Sequence, residues 1–447
     1  MGYNFLVPER DQQFLLPPDM REWLAEDHVV WCVLAAVASI DVSAFRGSYR
    51  ANGQGAAAFD PAMMLSLLLY AYTGGERSSR QIERRCVEDV AFRVICGGHK
   101  PDHATIARFR ARHETAITRV FAQVLALLAE AGLVRLNRVS LDGTKIGADA
   151  SWSANKTVEQ IEAMLGEAAA TDAAEDAQYG QARGDETPAG LARQDERLDR
   201  LRAARDRLAQ QAAARAAAQQ AKKEAWQARK DAGSPRPGRR PSDEAGPGTR
   251  NNTTPRANVT DPDARTMKTK HTLTVGYNAQ AVVTDDQVVI GAHLSQQPVD
   301  QGLLHPVLDR CRDQLTDAGI TPRLSTVLAD AGYANEDTFA QAHQQHLRLL
   351  APLAKDTRKL RAGGDPTAGK NLSRLPETAR AQRRLRHPKG KTDYRQRGRT
   401  VEPVFGQIKT RQTLTRFSRR GLDACNSEWH LACTAHNLLK LHRHQQN

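Results

Sequence analysis

Three acidic residues stand out by their surroundings. Asp142 closes the apolar run Leu136, Val139, Leu141 and is followed by Gly143, and Asp330 closes Leu324–Ala329 two residues before Gly332. A lone carboxylate directly after an apolar strand emerges at the end of a sheet, where it is either a turn or cap aspartate or a ligand for a hard cation. Glu402 is the third. It is the only glutamate between Arg380 and Arg420, a window with 14 Lys and Arg against Asp393 and Glu402, a net of +12. An isolated acid in so basic a stretch needs a reason. Carboxylates that share Mg²⁺ can activate an oxygen nucleophile and stabilise a leaving oxygen, which is what phosphodiester hydrolysis and transesterification demand.

Such carboxylates need a sheet to carry them and helices to cover it. The first 136 residues read as helical: Asp60-Pro61 is a cap and first-turn proline before the apolar run Ala62 to Tyr72, ended by Gly74-Gly75. A second helix is expected from Ser78-Ser79 to Gly97-Gly98, with Ile82, Cys86, Val90 and Val94 on one face. Asp102 caps a third, on which Ile106, Phe109 and His113 share one face and Thr105, Arg108 and Arg112 another. This helix–turn–helix-like layout makes Arg108 and Arg112 either a DNA-reading surface or an ordinary solvated face. A fourth helix covers Ile117–Ala131, and the strand that holds Asp142 follows.

From 151 to about 257 the chain is rich in Ala, Gln, Arg and Glu, with Leu191, Leu198, Leu201 and Leu208 spaced as on one seam of a helical hairpin or short coiled coil. Gly233–Arg250 is a Pro/Gly-rich linker. The block is an insertion, either an arm for a dimer or for DNA, or a tolerated surface addition. Strands resume as a hairpin, His271–Val283 with Val288–Leu294 across Thr284–Gln287. A helix from Asp300 to Ala318, the strand Leu324–Ala329, a helix over Asn335–His346 and a strand at Leu347–Leu353 come next. The last helix is expected near Glu402–Arg411, with Glu402 at its start because Pro403 suits a first turn. This order predicts an α/β fold: an RNase H-like catalytic domain interrupted by a helical insertion, with an all-α N-terminal DNA-binding domain. The boundaries are 1–136 for the N-terminal domain, 137–150 for the first part of the catalytic domain, 151–257 for the insertion and 258–447 for the remainder with its basic C-terminal region.

At 447 residues, a formal charge of +13 and a pI of about 9.6, the chain suits several structural units and a polyanionic partner. Its six cysteines are scattered, which fits a reducing cytoplasm rather than a disulfide framework. Cys86, Cys96, His99 and His103 lack the second close pair of a zinc site. The runs Val29–Ile40 and Ala62–Tyr72 are too short to span a membrane, so none is expected as a partner.

The segments Leu141-Asp142-Gly143-Thr144-Lys145, Thr260-Asp261-Pro262-Asp263-Ala264-Arg265, Gly276-Tyr277-Asn278-Ala279-Gln280, Ala329-Asp330-Ala331-Gly332-Tyr333 and Val401–Lys409 resemble the successive motifs of bacterial insertion-sequence DDE transposases. The group numbered eleven-eighty-two is the most similar, and Pro101–Ile106 through Phe109 resembles its helical N-terminal domain. The resemblance covers the chain apart from the block near 151–257. It implies Asp142, Asp330 and Glu402 as the catalytic, metal-binding triad, Mg²⁺ as cofactor with Mn²⁺ able to substitute, and double-stranded DNA, both element ends and target, as partner to a homodimer or higher oligomer. The family's Tyr, Arg, Glu, Lys signature is imperfect: Tyr394 to Arg397 and Glu402 to Lys409 keep their gaps, but one residue too many lies between Arg397 and Glu402. Either Arg397 reaches the site by a different loop or Arg399 substitutes, while Tyr394 and Lys409 stand as further DNA contacts. The alternatives are an inactive, transposase-derived DNA-binding protein and an RNase H-like nuclease.

Overall fold

The computed structural model describes residues 19–49, 57–179, 189–232, 240–241, 254–269, 272–353, 371 and 375–446. The chain opens with the helices α1 (Val29–Ser39), α2 (Ser43–Arg46), α3 (Pro61–Thr73), α4 (Ser79–Glu88), α5 (Val90–Ile95), α6 (His103–Arg112) and α7 (Glu114–Glu130). Asp60 and Asp102 cap α3 and α6 by accepting from the Met63 and Thr105 amides, as their positions in the sequence predict. The single helix expected over 78–97 is two. Asp89 takes extended backbone and its carboxylate accepts from the Ala91 and Phe92 amides, so it caps α5 and breaks the run. Val90 thereby leaves the buried face.

Next come β1 (Arg138–Gly147), β2 (Asn155–Lys156), α8 (Val158–Tyr179), α9 (Ala189–Asp231), β3 (Ala257–Asn258), β4 (Arg265–Lys268), β5 (Leu273–Thr284) and β6 (Val289–Ser295). They are followed by α10 (Leu304–Asp317), β7 (Thr326–Ala329), α11 (Glu336–Gln344), β8 (Arg348–Leu350), α12 (Glu377–Arg386), α13 (Pro388–Arg395), α14 (Arg397–Thr410) and α15 (Leu422–Gln445). The sheet runs β6-β5-β1-β7-β8, with β4 beside the first residues of β5. Strand β5 is antiparallel to β1 and β6, whereas β7 and β8 continue parallel to β1. This mixed sheet fits an RNase H-like fold.

Strands β1 and β5 are hydrogen-bonded neighbours although α8 and α9 lie between them in the chain. The β2–β3 ladder closes the base of that excursion, and Asn258 fastens it by donating to the Ser151 carbonyl and Asn155 Oδ1. Helices α8 and α9 pack through Ile161, Leu201, Ala204 and Leu208, with Leu198 also buried. The Leu191 side chain and, apart from Arg240 and Pro241, the Pro/Gly-rich linker lie outside the described residues.

Helix α15 packs on α7, α3, α1 and β6. One continuous apolar core runs from the N-terminal helices through β1, β5, β6 and β7 to α14 and α15.

Candidate active site

Leu141 of β1 lies beside Ala329 of β7 in parallel register, so the next residues, Asp142 and Asp330, leave neighbouring strands side by side. The face of β1 that carries Asp142 also carries Ser140, whose hydroxyl hydrogen-bonds that of Thr400 at 2.6 Å. That face therefore looks onto α14, the helix that supplies the third acid.

Helix α14 starts at Arg397, not near Glu402 as expected, and Pro403 lies inside it. An internal proline leaves the carbonyl four residues earlier without a donor. Here that carbonyl belongs to Arg399, and Gln287 Nε2 from the β5–β6 turn donates to it at 3.0 Å. Gln287, held at φ 63°, also accepts from Lys440 Nζ at 2.9 Å, and its own carbonyl receives His436 Nε2 at 2.9 Å. A turn residue thus supports a helix that sequence pattern alone begins only near Glu402.

With α14 extended to Arg397, one guanidinium stands among all three acids. Arg397 Nη2 is 2.6 Å from Asp142 Oδ2 and 4.0 Å from Asp330 Oδ2, and Nη1 is 3.6 Å from Glu402 Oε1. The centre of the cluster is dry and its rim is wet: the Asp142 and Arg397 side chains are 16% and 12% exposed, against 55% and 62% for Asp330 and Glu402. Burial pushes the Asp142 carboxyl up to about 6, against the pull of Arg397 and with help from Asp330 and Asp300. Burial works against the charge on Arg397, but Asp142 and Asp330 outweigh it and its pKa rises. Arg399 is exposed, and its side chain takes no part.

The other expected contacts are distributed as follows. Tyr394 packs against Leu328, Leu350 and Leu385, and burial pushes its hydroxyl up to about 12. Lys409 Nζ donates to the Lys145 carbonyl at 3.2 Å, three residues along β1 from Asp142, and burial lowers its pKa. Arg108 and Arg112 are exposed on α6, Arg108 near Thr105 Oγ1 and Arg112 over the Tyr49 ring. Cys86 and Cys96 are buried with Sγ atoms 3.7 Å apart, while His103 pairs with Glu83 instead of joining them.

Sequence reasoning missed the polar cluster on the opposite face of β1. Asp300 Oδ1 accepts from Asn278 Nδ2 at 2.7 Å, Gln280 Nε2 at 3.1 Å and Lys145 Nζ at 3.2 Å. Tyr333, in the turn that begins with Asp330, donates its hydroxyl to Gln280 Oε1. The cluster ties the strand of Asp142 to the turn of Asp330. The motif segments Gly276–Gln280 and Ala329–Tyr333 signalled it, since each places a polar side chain in an otherwise apolar strand or turn.

Among the described residues no three His, Cys, Asp or Glu side chains converge closely enough to hold a metal ion as they stand. Between Asp142, Asp330 and Glu402 the Arg397 guanidinium holds that place. Three carboxylates directed at one cation are nonetheless the hard-oxygen donor set that a divalent ion of the Mg²⁺ kind requires.

Two family models match the chain. The family described as Transposase domain (DUF772) matches residues 18–112, and the family described as Transposase DDE domain matches residues 252–438. No curated protein and no solved structure matches it. The second match holds Asp330, Arg397 and Glu402, and β1 adds Asp142 to the same sheet from outside it. Proteins with this domain use divalent metal ions on DNA, and among the described residues no helix is long and apolar enough to cross a membrane. With both transposase domains in one chain, the protein is a DDE transposase of an insertion element, an enzyme that acts on DNA.

Proposed function

We propose that this transposase binds the terminal inverted repeats of its own insertion sequence, cleaves the DNA at the element ends and joins the freed 3′ ends to target DNA. The gathering of Asp142, Asp330 and Glu402 from two strand ends and a helix around one cationic group carries the reading. These three would hold Mg²⁺, with Mn²⁺ able to substitute, and the ions would activate the attacking oxygen and stabilise the leaving one. Lys409 and Arg397 would contact the backbone phosphates beside the scissile bond. The exposed Arg108 and Arg112 would read the repeats from the N-terminal helical domain, and the α8–α9 insertion would support assembly of a homodimer or higher oligomer on paired ends.

Release of a labelled 3′ end from a terminal-repeat duplex in Mg²⁺ tests this. Asp142→Asn, Asp330→Asn and Glu402→Gln should each lower the rate by at least about a hundredfold while DNA binding survives. A folded Glu402→Gln protein that cleaves at the wild-type rate would remove Glu402 from the triad.

A further inference from the structure

Arg397 occupies a position that its expected partner, a DNA phosphate, does not explain. Its guanidinium contacts all three acids, and its Nε is buried with no hydrogen-bond partner. A planar group with five donors makes one hydrogen bond to the acids here, to Asp142 at 2.6 Å, and two longer ion pairs at 3.6 and 4.0 Å, and its buried Nε is left without a partner. Resting on the reading that the triad binds metal, we propose that Arg397 is a resident counter-cation of the triad, displaced by the incoming divalent ion and drawn away by DNA, so that metal loading waits for DNA.

The argument is one of charge and geometry. Three carboxylates this close repel one another, and Asp142 is the least hydrated of them. Without a cation they would spread or protonate, and Arg397 supplies one from within the fold. A divalent ion held by Asp142 would face the guanidinium within a few ångströms, and like charges at that distance in a half-buried site oppose each other strongly. The two cations therefore compete for the same oxygens. A phosphate offers Arg397 a bidentate partner that engages Nε as well, which the carboxylates do not. Whatever draws Arg397 from Asp142 must strengthen metal binding, and metal must by the same amount strengthen the phosphate contact.

Calorimetric titration of the full chain with Mn²⁺ alone, with and without a terminal-repeat duplex, tests the competition apart from catalysis. In free protein, Arg397→Gln should bind Mn²⁺ about tenfold or more tightly than wild type. The duplex should tighten Mn²⁺ binding to wild type and add little to the variant. Equal or weaker Mn²⁺ binding by Arg397→Gln, with binding still abolished by Asp142→Asn, would overturn the proposal and leave the metal site intact. Mn²⁺ binding that survives Asp142→Asn unchanged would instead sink the triad reading itself. Should Arg397→Gln fail to fold, Arg397→Lys keeps the charge but cannot reach three acids or grip a phosphate with two hydrogen bonds. It should bind Mn²⁺ severalfold more tightly than wild type and show a smaller gain from DNA, and wild-type behaviour in both would reject the proposal.

Discussion

Gly143 faces Gln280 across the β1–β5 ladder, and a Cβ there would stand 2.1 Å from Gln280 Nε2, 2.8 Å from Asn278 Oδ1 and 2.9 Å from Asp300 Oδ1. Only glycine lets the amide cluster close behind Asp142. Gly143→Ala should cost about 1–3 kcal/mol in denaturant unfolding, because every displaced atom belongs to one hydrogen-bonded network. Asp300→Ala should do something different: it strands the Lys145 ammonium, 15% exposed, and frees Gln280, which holds Tyr333 of the Asp330 turn. Cleavage should fall about tenfold or more, as when groups that orient metal ligands are lost. Asp149→Asn serves for comparison, since among the described residues Asp149 pairs with the half-exposed Arg416 and Arg420 alone. Equal activities of the two variants would reduce Asp300 to a loop residue. Sequence alone singled out Asp142 and Asp330 as lone acids that close apolar runs, and Glu402 as the one glutamate in a basic window. Asp300 was hidden because Val299-Asp300-Gln301-Gly302 reads as a helix approach, and its partners come from two different strands, Asn278 and Gln280 of β5 and the distant Lys145 of β1. Glu336 was hidden in the same way: its carboxylate accepts from the Glu377 and Thr378 amides and so caps α12 through space.

Helices α3 and α6, each capped by an aspartate, and α7, with its apolar stripe, were legible, and so was the β5–β6 hairpin. The start of α14 was not, because the donor that makes Pro403 tolerable sits on Gln287 more than a hundred residues earlier. Helix α15 escaped notice for a related reason. Its apolar period is interrupted by Asn426, Glu428, His430, His436 and Asn437, which would mark a loop were they not all paired and, apart from the half-buried Asn426, buried. Asn437 accepts from the Val289 amide at 2.9 Å and donates to its carbonyl at 2.7 Å, and Asn426 Oδ1 accepts from the Leu294 amide at 3.2 Å. Gln314 of α10 does the same for Ala292, at 3.0 and 2.9 Å. Side-chain amides thus cover the open edge of β6 in place of another strand. Asn437→Leu keeps the volume but leaves both Val289 backbone groups buried and unpaired, so unfolding should become easier by on the order of 3 kcal/mol. A change below about 1 kcal/mol would mean that water reaches this edge.

Across the whole molecule, charge that looks like a DNA-binding surface in the sequence is partly consumed inside the fold. Of the basic window, Arg397 pairs with Asp142, Asp330 and Glu402, Arg416 and Arg420 pair with Asp149, and Arg419 pairs with Glu114. Composition counts charges but cannot see which are already matched. Asp393, the window's other acid, is spent on Arg138 and Arg348, at 2.9 and 2.6 Å. A second ionic centre joins the N-terminal helices to the rest: buried Glu428 of α15 accepts from Tyr72, Arg77 and Ser418, and Arg110 reaches Tyr72 and Ser418 from α6. The helix that presents Arg108 and Arg112 is therefore anchored on the same α15 that seals the sheet. Protonation should loosen this assembly at α15. His430 Nδ1 meets the Asn426 carbonyl at 2.8 Å and Nε2 meets the Gln314 amide nitrogen at 2.9 Å. A carbonyl only accepts and an amide nitrogen only donates, so the ring must be neutral with its proton on Nδ1. Burial pushes His430 and His436 down from 6.5 to about 4. Below pH 6.5 the unfolded chain takes up protons that the folded chain refuses, so the stability these groups confer is whole above 6.5 and is lost as the pH falls towards 4. The loss should approach on the order of 3 kcal/mol for each histidine at the foot of that window. Urea unfolding of wild type and of His430→Gln/His436→Gln at pH 7.5, 6 and 5 separates this from the titration of carboxylates. The double variant should start less stable at pH 7.5 and lose less on acidification, and parallel losses in the two proteins would show that these histidines do not set the acid limit of the fold.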